Sequence, residues 1–208
     1  MKAFRSIKAM ALAVLLSSAV VASPLVAQEV TVSGGATGRF VSNGVTFTSG
    51  LGCTTLLTGL EYCGSTFSDR TSLGFLGFGG NANPVANFNN FGSFMLSNTP
   101  QNYTGQQFEL MLTISSPTGI MPGGQAQTFS SLIRGNVNST GNGGIFIDFD
   151  NTARLFSFTG SSDNPSVSGD GALVVNDMSL NAGQTGAATG FFESSNMRVV
   201  PELSLIHI

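Results

Sequence analysis

Residues 107–115 read QFELMLTIS, and they decide the fold class. Phe108, Leu110, Leu112 and Ile114 fall on one face of an extended chain, and Gln107, Glu109, Met111 and Thr113 on the other. A helix would scatter these apolar residues around its axis, whereas a strand collects them on one side. The spacing therefore predicts a half-buried antiparallel strand.

The same period of two recurs downstream. GGIFIDFDN sets Ile145, Ile147 and Phe149 against Phe146, Asp148 and Asp150. ARLFSFTG alternates Leu155, Ser157 and Thr159 with Phe156 and Phe158. GALVVNDMSL places Leu173, Val175 and Asp177 opposite Ala172, Val174 and Asn176. Further strands are expected in VTVSG from Val30, GVTFTSG from Gly44, SLGFLGFG from Ser72, FGSFMLSN from Phe91, AQTFSSLIRG from Ala126 and AATGFFES from Ala187. Turn signals stand between them at Gly34-Gly35, Asn43-Gly44, Pro117 to Gly119, Pro122 to Gly124, Gly141 to Gly144, Asp170-Gly171 and Asn181 to Gly183. The stretch 50–90 is the least regular and reads as a long excursion pinned by its two cysteines. No segment of this region has helical periodicity. The expected fold is all-β, a single antiparallel β-sandwich of jelly-roll or immunoglobulin-like type over residues 28–198.

The first 27 residues are set apart from that domain. Lys2, Arg5 and Lys8 precede an apolar run at 10–22, and small residues lead to Ala27 before Gln28. This is the three-part layout of a secretory signal peptide, cleaved after Ala27. The run is shorter than the roughly 20 residues of a membrane span. Beyond it the chain keeps five arginines, no lysine and all eleven acids, five minus eleven giving a net charge of −6. Such a chain has no electrostatic footprint for nucleic acid and no attraction to an anionic membrane surface. Charged residues are 9% of the chain, against roughly 25% in an ordinary domain, but 41% are hydrophobic and 17 are Phe, enough to bury a core.

Cys53 and Cys63 lie in GCTTLLTGLEYCG. In an exported chain they are expected to form a disulfide. A metal site would need ligands beyond two thiols.

Catalytic chemistry has few candidates. The one histidine, His207, lies in the last six residues, which leaves a Ser-His-Asp or Cys-His arrangement without a base. Asp148 and Asp150 share a strand face about 7 Å apart. With Asn151 they offer hard oxygen ligands for calcium, though the spacing matches no EF-hand loop. A solvated strand face is the competing reading. The glycines of GFLGFGGNANP do not fit phosphate-binding spacings. Phe88, Phe91 and Phe94 in ANFNNFGSF would stack on sugar rings if exposed, and are core residues otherwise. NYT at Asn102 and NST at Asn138 match the glycosylation triplet.

The C-terminus, MRVVPELSLIHI, carries a resemblance. A secreted β domain rich in Gly, Asn and Ser, followed by VVPE, resembles proteins with a PEP-CTERM sorting signal: Pro-Glu-Pro, an apolar membrane helix and a basic cluster. Pro201 and Glu202 match the first two positions, and Leu203 stands where the second proline belongs. Residues 199–202 are thus expected to begin a sorting signal. LSLIHI at 203–208 resembles the in-frame translation of a transposon-end adaptor used in sequencing libraries and is expected to be non-native. SSPTGIMPGG, GGIFIDFDNTARLFSFTG and LVVNDMSLNAGQTGAATGFF resemble exported β domains of the choice-of-anchor type, over roughly residues 88–192.

The resemblance implies a non-enzymatic protein of the outer cell surface or extracellular matrix of a Gram-negative bacterium. It would be associated with exopolysaccharide, handled by signal peptidase and exosortase, and held to a membrane only by a C-terminal helix. The alternatives are a carbohydrate-binding, lectin-like module and a secreted glycosidase with two carboxylates facing each other across a cleft. No cofactor is expected beyond calcium.

Overall fold

The computed structural model describes residues 29–42, 45–48, 52–80 and 89–199. The expected leader at 1–27, Asn43-Gly44, Phe88, Pro201, Glu202 and residues 203–208 lie outside them. Among the described residues there is no helix.

In the described residues sixteen strands follow one another: β1 (Thr31–Ser42), β2 (Val45–Thr48), β3 (Cys53–Leu57), β4 (Leu60–Cys63), β5 (Ser65–Arg70), β6 (Phe75–Phe78), β7 (Ser93–Leu96), β8 (Gln101–Asn102), β9 (Gln106–Ser116), β10 (Ala126–Val137), β11 (Gly143–Phe149), β12 (Arg154–Phe158), β13 (Val167–Val175), β14 (Met178–Asn181), β15 (Thr185–Ala187) and β16 (Gly190–Val199). They form three antiparallel sheets. The large one runs β14-β11-β10-β9-β1-β2, with β5 also on β1 and β8 on β10; the others run β12-β13-β16-β6 and β15-β7-β4-β3.

The two smaller sheets pack against the large one in a sandwich-like arrangement around one core. Aromatic contacts join the layers. Tyr62 of β4 meets Phe108 of β9 at 4.9 Å between ring centres, Phe40 of β1 meets Phe94 of β7 at 6.4 Å, and Phe67 of β5 meets Phe78 of β6 at 5.1 Å. Rings meeting at tilted or edge-on angles add to the stability that their burial provides.

The alternation of QFELMLTIS holds in β9, where Phe108, Leu110, Leu112 and Ile114 are buried. It holds likewise for Ile145, Ile147 and Phe149 in β11 and for Phe156 and Phe158 in β12.

Three expectations are corrected. Gly34-Gly35 and Asp170-Gly171 are not turns; they lie inside β1 and β13. A side chain at Gly171 would collide with Phe156 and Phe192, so this glycine seats two rings against bare backbone. GALVVNDMSL is not one strand. It breaks at Asn176-Asp177, where the Asp177 carboxylate accepts the Phe149 N–H at 2.8 Å, and the chain passes from the β13 sheet to β14 in the large sheet. The irregular stretch 50–90 contains β3 to β6, four short strands distributed over all three sheets.

Candidate functional site

The outer face of the large sheet carries the acids singled out in the sequence. Asp148 lies on β11, directly opposite Leu132 of β10, and Asp150 follows the end of the strand. Both line a shallow depression of about 510 Å³ with Glu109, Ser130 and Arg134. Each carboxylate there has its own cation. Arg134 donates to Asp148 at 2.9 Å, Arg154 to Asp150 at 2.8 Å, and Arg39 pairs with Glu109, its register partner across β1 and β9.

Arg154 is fixed further by bonds to the Thr128 carbonyl and by a Phe129 ring 4.8 Å from its guanidinium carbon. The Asp150 carboxyl is held down at about pKa 2, first by the Thr152 hydroxyl and then by Arg154. Asn151 turns away: its amide donates to the Val175 carbonyl at 2.8 Å and to Asp177 at 3.2 Å. Asp148 and Asp150 therefore share a face, as the sequence implies. Asn151, the third candidate calcium ligand, bonds instead toward the β13–β14 break. The arrangement is a set of charge pairs on a solvated sheet.

The Phe cluster resolves differently. Phe91 and Phe94 are fully buried, within 5.6 Å of Phe67 and 5.0 Å of Tyr62 respectively, and belong to the core.

Cys53 and Cys63 face each other across the β3–β4 hairpin, with Cα atoms 3.8 Å apart, and are bonded. The Glu61 carboxylate lies 3.9 Å from the Cys63 sulfur, which gathers three ligand-type groups in one place. With the sulfurs joined to each other neither is a thiolate, and this is a bridge with an acid beside it. The asparagines of both glycosylation triplets are exposed, as is the rest of the second, whereas Tyr103 of the first is buried. Asn102 lies on β8 and Asn138 in the β10–β11 turn, each side chain accepting the backbone N–H of the threonine two residues on.

A second surface escapes the sequence reading. The outward face of the β12-β13-β16-β6 sheet presents Leu155 and Met121, 70% and 66% exposed, beside the carboxylates Asp170 and Glu193. Phe75, 51% exposed, stacks on Phe191 with ring centres 5.6 Å and planes 28° apart. Only strand order brings these residues together, because β6 and β16 are far apart in the chain. Their signal in the sequence is the two phenylalanines in each of FLGF and FFES, three apart in the first and adjacent in the second, which does not say which ring faces outward.

Comparison with protein-family models, with curated proteins and with solved structures found no match to this chain.

Proposed function

We propose that the chain is a non-enzymatic exported protein of the cell surface or extracellular matrix, associated with exopolysaccharide and tethered by a C-terminal sorting signal that begins at Pro201-Glu202. The observation that carries this reading is the Cys53–Cys63 bridge within a packed β domain. Disulfides persist in oxidising compartments and are rare where thiols are kept reduced. The leader-like N-terminus, the scarcity of charge and the resemblance to PEP-CTERM proteins agree with that address. Carboxylates locked to arginines on the large sheet suit a stable presented surface better than a poised acid–base pair, which needs two carboxyls of separated affinity.

Expression of the intact gene from its own start codon in a Gram-negative host, followed by fractionation and intact-mass analysis, tests the reading. The expected product is cut after Ala27, carries oxidised Cys53 and Cys63, and is found outside the inner membrane. The gene is expected to continue past the codon for Glu202 into a second proline, about 20 apolar residues and a basic cluster. A protein retained in the cytoplasm with its leader intact defeats the export reading. A stop codon directly after the codon for Ile208 in adaptor-free genomic DNA defeats the sorting-signal reading.

A further inference from the structure

We propose that the outer face of the β12-β13-β16-β6 sheet binds a neutral polysaccharide chain, with Phe75 and Phe191 as the stacking platform and Glu193 and Asp170 as acceptors for sugar hydroxyls. The matrix-associated reading above supplies the setting, and this site gives it a partner of stated chemistry.

The register builds the surface. Leu155, Ala172, Glu193 and Phe75 stand in one row across the four strands. Three strand spacings make that row about 14 Å long. Ser157, Asp170 and Ser195 form the next row. Between the rows lies an open depression of about 630 Å³, reaching from Met121 and Leu155 to Glu193 and Ser195. Phe75 borders it through Glu193, its direct partner across the ladder. The stack on Phe191 fixes the orientation of a half-exposed ring, so little ordering is left to be done on binding.

This mosaic fits a sugar polymer better than a protein. A pyranose presents an apolar C–H face and a rim of hydroxyls. The negative face of an aromatic ring takes the first, and carboxylates accept from the second. Glu109, Asp148, Asp150 and Asp163 are paired with arginines, whereas among the described residues neither Asp170 nor Glu193 makes an ion pair. Asp170 accepts from Asn196, at 2.7 Å. A protein interface is depleted of charge at its core. A symmetric contact between two copies on this face would bring both copies' carboxylates into one interface. The net charge of −6 beyond the leader repels an anionic polymer and leaves a neutral one. The open, shallow form suits a chain lying across the strands.

Affinity electrophoresis of the purified full chain, from whichever compartment it is recovered, tests this, in native gels containing laminarin, galactomannan, dextran or alginate. Retardation is expected in at least one of the three neutral gels and not in alginate. Phe75→Ala should weaken it roughly tenfold, the size of one aromatic stacking contact, and Glu193→Gln should weaken it too. Phe146→Ala, on the large sheet, should leave it unchanged. Thermal melts of the variants confirm that each is folded. No retardation in any neutral gel overturns the proposal, as does retardation that survives both Phe75→Ala and Glu193→Gln. Sedimentation showing a dimer that Phe75→Ala dissociates would assign the face to a second copy and overturn it as well. Localisation does not enter this assay, so its failure and that of the export reading are told apart.

Discussion

The Tyr62 hydroxyl donates to the Phe91 carbonyl at 2.9 Å, and both residues are fully buried. Burial pushes the hydroxyl pKa far above its usual value, so Tyr62 stays neutral and remains a donor. The bond ties β4 to the approach of β7 at the centre of the core. Tyr62→Phe keeps the ring and leaves the Phe91 carbonyl unpaired. It should cost about 1–3 kcal/mol, read as a lower midpoint in urea with an unchanged slope. An equal midpoint would mean that the carbonyl finds another partner.

Gly38 should tolerate no side chain. A Cβ there would collide with the Phe108 ring and stand 2.7 Å from the Tyr62 ring. Gly38→Ala is expected to destabilise by about 1–3 kcal/mol through overpacking. Phe108→Leu in the same chain should recover part of that loss, because it removes one of the two obstructing rings. A double variant no more stable than Gly38→Ala alone would count against this packing account.

The Cys53–Cys63 bridge closes a loop with a sequence separation of 10. Restricting the unfolded chain by such a loop contributes about 3 kcal/mol. Replacing both cysteines by alanine should lower the melting temperature accordingly. Thiol labelling of the denatured, unreduced protein should find no free thiol, and two after reduction.

Asp150 carries a pH signature. Its folded pKa of about 2 lies below the ordinary 3.8, so protonation opposes folding. Its contribution is fully present above about pH 4 and is lost as pH falls through about 2. The side chain is at the surface, so the contribution is small and is best followed at the carboxyl itself. Carbon-detected NMR should place the midpoint near 2. Thr152→Ala and Arg154→Met should each raise it. A midpoint that neither change moves would count against this account of the lowered pKa.

The strong strands of this fold were legible in the sequence because burial on one face writes itself as alternation. Phe108, Leu110, Leu112 and Ile114 need no knowledge of their partners to be placed. Glycine misled for the opposite reason. Gly38 and Gly171 mark positions where rings from other strands press on the backbone, and a local reading of Gly171 beside Asp170 gives a turn. The break at Asn176-Asp177 was hidden too, since it depends on Asp177 reaching the Phe149 N–H. At the acids, shared facing was legible, but pairing with Arg134 and Arg154 depends on how neighbouring segments are set beside β11. The Phe75–Phe191 surface was out of reach, because two segments distant in sequence must become neighbours before it exists.

That last neighbourhood also sets an order of events. β16 lies between β13 and β6, and Phe191 pairs with Gly77, 114 positions earlier. A chain emerging N-terminus first delivers β6 long before its partner, and sheets built on such distant pairings close slowly. Until β16 arrives, β6 has no ladder on that side, and the rings of Phe78 and Phe192 have no completed core to enter. The domain thus reaches its final form only after nearly its whole length has passed the point of synthesis or transport. Under the export proposed above, this late closure would keep the polypeptide threadable during passage and lock it once it is across.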